Sequence, residues 1–364
     1  MKRSVAPWPA AARPGPARAG KKNWRTILGL LLLAFCVVCR FCTPMADFYA
    51  AKLYPAISAV LSRLSAVVPF SLEEIVVLGF VAVLLLIVGK AIRRKKGFRW
   101  WLGKSAATIM WLLVWFYMGW GNNYYRTGLY ARNGIQQLRF EPESFRHFLD
   151  DYARALDSAA ALADTSVDRQ ALEEEIRRFY NEQVSPYGYA KLRPWQTVKR
   201  PLLNPLYSAV RVQGFMGPFF CEAQTNNVLL AHELPFTAAH ELGHLAGVTS
   251  EAEANWWGFA CCRASADPAV RYSGYLSILP YLLSDARRLL PEEEYTAWES
   301  SLCTRAKDDY ARSRAYWKAK EVPWIGTLQN GFYNLYLRSN GISAGVKDYY
   351  GVVGMIMTML QPAP

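Results

Sequence analysis

Histidine is scarce in this 364-residue chain, with only four copies, so a histidine-rich metal array is excluded and any imidazole chemistry must come from a few fixed positions. Acidic residues are missing from two stretches, 1–25 and 90–104, which together hold 14 of the 42 basic residues. The rest of the chain carries 28 basic residues against 29 acidic ones. The formal net charge of +13 therefore marks no basic domain, and nucleic acid is excluded as the partner it implies. The seven cysteines lack metal-ligand spacing. Cys36, Cys39 and Cys42 fall in or near an apolar run, where they read as small apolar filler. Cys221, Cys261, Cys262 and Cys303 leave a disulfide open without choosing a pair. No internal repeat stands out, and low complexity is confined to an Ala/Pro/Arg tail over residues 5–20 that is expected to be disordered.

Apolar residues are abundant, at 52% with 14% aromatic, and both basic clusters sit beside apolar runs. Thr26–Cys39 is bracketed by Arg25 and Arg40, with no clean small-x-small cleavage site after it. Ile75–Gly89 runs directly into Lys90 and the second cluster. A third stretch, between Lys104 and Arg126, has 21 residues without charge and gathers Trp and Tyr toward its end, as a membrane interface would. The expected layout is a basic cytoplasmic tail (1–24), a membrane region (25–121) with three transmembrane helices at about 25–42, 73–91 and 104–121, and an extracytoplasmic domain (122–364). The positive-inside rule puts both basic clusters in the cytoplasm and everything after Tyr125 outside, for a multi-pass protein of the bacterial plasma membrane. The loop between the first two spans reads either as an amphipathic helix resting on the lipid bilayer or as a plain connector.

In the outer domain, residues 143–182 space apolar side chains at three and four and predict two surface helices, with Ser166 and Asp168 as available caps. His147 reads as a half-exposed helix residue. Tyr187–Leu230 turns to Pro, Gly and β-branched residues and predicts short strands, with "GPFFCEAQTNNVLL" as an edge strand able to pair with an extended peptide. Helix returns from His240 onward. The fold class is a membrane protein whose outer domain is mostly α, with a small sheet ahead of the helical part.

The chemistry is concentrated in "AAHELGHLAG". His240, Glu241 and His244 spell H-E-x-x-H, which on a helix puts both imidazoles on one face with the glutamate at its edge. A tetrahedral catalytic zinc takes three protein ligands and keeps one position open. The third-histidine position of the longer H-E-x-x-H-x-x-G-x-x-H signature is Ser250, so that class is disfavoured. Ser250 and Glu253 instead spell a capping box, which gives Glu253 a structural task and favours Glu251 over it as third ligand. Asn255, four residues on, could orient that ligand. His232 reads as a loop residue. Tyr336, Arg338 and Tyr349 are candidates by type alone to stabilise an oxyanion.

The stretches "LYPAISAVLSRLSAVVPFSLEEI", "WGNNYYRTGL", "HELGHLAGVTSEAEANWWGF" and "YNLYLRSNGISAGVKDYYGVV" together resemble the bacterial membrane proteins of domain-of-unknown-function family 3810, from near one end of the chain to the other. That resemblance implies three spans and a zincin-like domain of gluzincin type. His240, His244 and Glu251 would then be the zinc ligands and Glu241 the base. Two positions depart from the pattern: Thr127-Gly128, where proline more often follows the arginine, and Asn255, where gluzincins place an acid. The expected function is a zinc-dependent metallopeptidase with Zn2+ as cofactor and a peptide or protein of the cell envelope as substrate. The alternative is a membrane-anchored zinc-binding sensor or scaffold without turnover.

Overall fold

The computed structural model describes residues 24–139, 141–163, 167–327, 331, 340 and 351–360. The basic tail before Trp24, the cap candidate Ser166, and Tyr336, Arg338 and Tyr349 lie outside these residues. The described chain is mainly helical, with one small sheet.

Three long helices come first: α1 (Trp24–Phe41), α4 (Leu72–Arg93) and α5 (Phe98–Gly119). α1 and α4 are long and apolar enough to cross a membrane, and the most apolar window of α4 has none of its residues buried. α5 matches α4 at 22 residues. Its Lys104 and its Trp and Tyr residues keep it short of that apolarity. The basic run Arg93–Lys96 lies at the tight connection between α4 and α5.

Between α1 and α4 the chain forms α2 (Thr43–Phe48), a π-helical turn (Tyr49–Leu53) and α3 (Tyr54–Ser65). The segment is helical, and one side of it belongs to the core. Tyr49 and Tyr54 are 0% and 1% exposed and belong to the main core. Tyr49 donates to the Met118 carbonyl (2.9 Å) in α5 and Tyr54 to the Leu245 carbonyl (2.7 Å), which ties the segment into the same core as residues far along the chain. A boundary at residue 122 therefore does not separate two cores.

The helices expected over 143–182 are α7 (Pro142–Leu162) and α8 (Arg169–Phe179), separated by α6 (Leu129–Asn133) from the membrane region. α7 buries Phe145, Leu149, Tyr152 and Leu156, the three-and-four spacing that predicts an amphipathic helix, and leaves His147 exposed. Asp168 caps α8 by accepting from Ala171 N (2.9 Å).

The sheet has order β1-β3-β2: β1 (Val198–Lys199) lies parallel to β3 (Glu222–Thr225), and β2 (Gly214–Gly217) antiparallel to it. α9 (Asn204–Ala209) fills the link from β1 to β2. The segment "GPFFCEAQTNNVLL" thus holds the central strand β3 and only the last residue of β2, and the edge strands are β1 and β2. α10 (Leu234–Leu245), α11 (Glu251–Ala264) and α12 (Pro268–Leu289) follow the sheet and pack on one another, with α13 (Glu292–Ser301) and α14 (Thr304–Lys320) outside them. All seven cysteines are free.

The start of α4 is clamped to the sheet. A helix leaves its first N–H groups without internal partners, and here the Glu222 carboxylate accepts from Leu72 N (3.2 Å) and Glu73 N (2.9 Å). Lys199 pairs with the same carboxylate at 2.7 Å. Glu74 reaches back to accept from Leu202 N (2.6 Å) and Leu203 N (2.9 Å). Because the core runs across residue 122, a fragment of residues 122–364 is expected to show no cooperative thermal transition by circular dichroism, whereas the detergent-solubilised full chain melts cooperatively. A cooperative melt of the fragment would refute the shared core.

Candidate metal centre

α10 begins with Pro235 in its first turn, where proline's missing N–H costs nothing, and ends at Gly247, whose φ of 98° turns the chain back. That turn lets Val248 N donate to Gly243 O (3.1 Å) and Gly247 N to His244 O (3.0 Å). It also brings the Val248 carbonyl to His244 Nδ1 at 2.8 Å. A carbonyl can only accept, so His244 Nδ1 is the donor and Nε2 is the nitrogen turned inward.

α11 starts at Ser250, whose Oγ accepts from Glu253 N at 3.3 Å. Glu251, the first residue of α11, is thereby swung back onto α10. Its Oε2 lies 3.3 Å from His240 Nε2 and 3.6 Å from His244 Nε2, and the two Nε2 atoms are 3.0 Å apart. Donor atoms at the corners of a tetrahedron around zinc, with bonds of about 2.05 Å, stand about 3.3 Å apart. The triangle His240–His244–Glu251 fits an ion of that size, and His240, His244 and Glu251 are the residues that could hold it. Glu253 is brought elsewhere: its carboxylate accepts from Tyr189 OH, beneath the guanidinium groups of Arg126 and Arg132 that stack on the Tyr189 ring. Asn255 donates to Tyr281 OH (3.4 Å).

Glu241 is buried on the same helix, and its Oε2 has no hydrogen-bond partner. A Cβ on Gly214 of β2 would stand 2.7 Å from both Glu241 Cγ and Glu241 Oε1, so only glycine lets the edge strand pass this close. Burial pushes the Glu241 carboxyl up to about 7, with His240 and His244 pulling the other way and Glu251 adding to the rise. Burial alone would lower His244, but the Glu251 carboxylate outweighs it and lifts the imidazole to about 9. Burial opposes ionisation of Glu251 as well, yet the two histidines hold it well below the ordinary carboxylate range. The arrangement brings together three donor atoms that could hold a cation and a buried carboxylate whose Oε2 has no hydrogen-bond partner among the described residues.

Two residues that local sequence patterns did not single out position this helix. Trp120, at the end of α5, donates from Nε1 to the His244 carbonyl (2.8 Å) and stands edge-on to the His244 ring at 6.3 Å. Tyr54 caps the next carbonyl, that of Leu245. Both lie in stretches quoted for the family resemblance, which was the available signal. His232 is placed apart from the trio, in a cleft of about 530 Å³ with Tyr272, Arg305, Asp309 and Arg312.

Gly214→Ala is expected to cost about 1–3 kcal/mol through forced displacement of Glu241 or β2. A lowered melting temperature with an unchanged metal-to-protein ratio would show this, and an unchanged melting temperature would refute the contact.

Neither the comparison with curated proteins nor that with solved structures found a match. One family model, described as a protein of unknown function (DUF3810), matches residues 49–357, a span that begins at the buried Tyr49 and takes in α3, the three strands and the whole metal triangle. The chain belongs to that family.

Proposed function

We propose that the protein is a membrane-anchored zinc metallopeptidase that hydrolyses peptide bonds of cell-envelope or extracellular proteins. The observation that carries this reading is the convergence of His240, His244 and Glu251 donor atoms at 3.0–3.6 Å with Glu241 adjacent on the same helix. Zinc held there supplies Lewis-acid polarisation of the scissile carbonyl and acidifies a water to a pKa of about 7. Glu241 takes the proton of the attacking water and passes it to the leaving amine. Gly214 leaves room for that carboxylate, and the Val248 carbonyl keeps His244 in the binding tautomer. β2 offers an edge on which an extended substrate can pair.

The anchor consists of α1, α4 and α5 as three spans. The end of α1, the start of α4 and the end of α5 all meet the outer domain, and the Arg93–Lys96 turn lies at the opposite end. With basic residues held in the cytoplasm, the zincin-like domain is extracytoplasmic.

Burial favours one rival. None of His240, Glu241, His244 and Glu251 is more than 9% exposed, as suits a non-catalytic zinc-binding sensor or scaffold. Three variants of the purified full chain separate the readings. Glu251→Ala is expected to lose zinc by tenfold or more in affinity, while Glu253→Ala keeps about one zinc per chain by elemental mass spectrometry. Glu241→Gln is expected to keep zinc and abolish hydrolysis of casein-derived peptides. Zinc retention in Glu251→Ala would remove that residue from the ligand set, and undiminished hydrolysis by Glu241→Gln would remove the base.

A further inference from the structure

We infer that the substrates are polypeptides anchored in the same membrane, cut within a few residues of its outer surface. This rests on the peptidase reading and on α4 and α5 as spans, and goes beyond both by fixing where along a substrate the cut falls.

The argument starts from the two ends of β2. At one end, a Cβ on Gly214 would meet Glu241 at 2.7 Å. At the other, a Cβ on Gly217 would meet Glu73 Cγ at 2.7 Å, and Glu73 lies in the first turn of α4. Three residue steps of a strand separate these positions, about 10 Å. The base of the reaction and the outer end of a span are thus joined by one short strand.

Beyond Gly217 the chain does not turn away from the helices. Gly119, the last residue of α5, has no room for a Cβ because the Pro218 carbonyl would lie 2.6 Å from it. Phe219 stacks on Phe80 with centroids 6.4 Å apart and meets the Trp115 ring at 5.6 Å. Trp115 Nε1 donates to the Phe219 carbonyl at 2.7 Å, and Phe220 lies 5.5 Å from the same ring. Phe80 is seven residues past Glu73, about 10 Å further along the helix. The tip of the β2–β3 hairpin therefore descends alongside α4 and α5, past the start of α4, and carries aromatic side chains at a depth where the bilayer interface lies.

An extended chain paired along the free edge of β2 must follow the same line. One end of it runs toward the helices and reaches their outer ends after about three residues. A soluble protein would have to bring an extended segment down onto the lipid surface, against the bulk of its own fold. A segment that emerges from the bilayer is already there. Anchoring in the same membrane also raises the local concentration of the segment without any further contact. The reaction itself needs only water: the C–N bond breaks, hydroxide goes to the carbonyl carbon, and a proton goes to the amine.

The test uses the full chain in proteoliposomes of phosphatidylethanolamine and phosphatidylglycerol, with a quenched-fluorescent random decapeptide library in three forms. One form is free, one carries a palmitoyl anchor four residues from the random stretch, and one carries it 25 residues away. Cleavage of the four-residue form at about tenfold or more the rate of the free form, with cut sites within about six residues of the anchor and loss in Glu241→Gln, is the expected result. Cleavage confined to the free and 25-residue forms overturns the inference and leaves the peptidase reading standing. Failure to cut any form by a chain that holds zinc overturns the peptidase reading and this inference with it.

Discussion

α10 is buried along its whole length, from Pro235 to Leu245, and most of the structure follows from that constraint. A helix enclosed on every side cannot rely on water for its last carbonyls, which have no partner within the helix. They are supplied from distant segments. The Trp120 indole serves His244, the Tyr54 hydroxyl serves Leu245, and Ala190 N serves Ala246 at 2.9 Å. Close neighbours also demand small side chains. A Cβ on Gly243 would meet the Tyr180 hydroxyl at 2.5 Å, and that hydroxyl is itself occupied as a donor to the Ala239 carbonyl. The His240–His244–Glu251 triangle is held at once by segments that precede α4 and segments that follow α5, so its geometry is a property of the whole core.

The same enclosure sets the electrostatics. Two neutral imidazoles and the carboxylates of Glu241 and Glu251 sum to a charge of −2 in a space from which solvent is excluded. Burying unpaired charge costs far more than burying paired charge, and the upward shifts of Glu241 and His244 are the response the side chains make by themselves. The divalent cation proposed for this site would match the charge, suit the His244 tautomer that its Val248 partner requires, and let Glu251 remain ionised.

The local parts of this arrangement were legible in the sequence. The i, i+4 spacing of His240 and His244, the Ser250 cap, the stop at Gly247 and the amphipathic spacing of α7 are all short-range signals, and the structure brings Glu251 onto the histidines while Glu253 goes to Tyr189. The parts that were not legible depend on separation. Tyr54 and Leu245 are 191 positions apart, and Trp120 and His244 are 124 apart. Nothing near Tyr54 announces a partner at the end of α10, so the segment read as a bilayer-resting helix or a plain connector, and its place in the core could not be foreseen. The short strands expected over 187–230 are present, but which of them is central was not legible, for a related reason. With strands of two and four residues, the order β1-β3-β2 is decided by cross-strand partners such as Val198 and Ala223, which no periodicity can show.

β2 and β3 connect the two halves of the molecule through their opposite faces. Side chains alternate along a strand, so Gly214 and its partner Thr225 face α10, while Gly217 and its partner Glu222 face the start of α4. One face approaches Glu241 closely enough to require glycine, and the other accepts the first N–H groups of α4 through Glu222. A four-residue ladder is too short to bend much between these contacts. The position of the edge strand over Glu241 is therefore set by where α4 begins, through hydrogen bonds and close packing, and no flexible linker intervenes. In a protein built this way, the long apolar helix α4 is part of what defines the site.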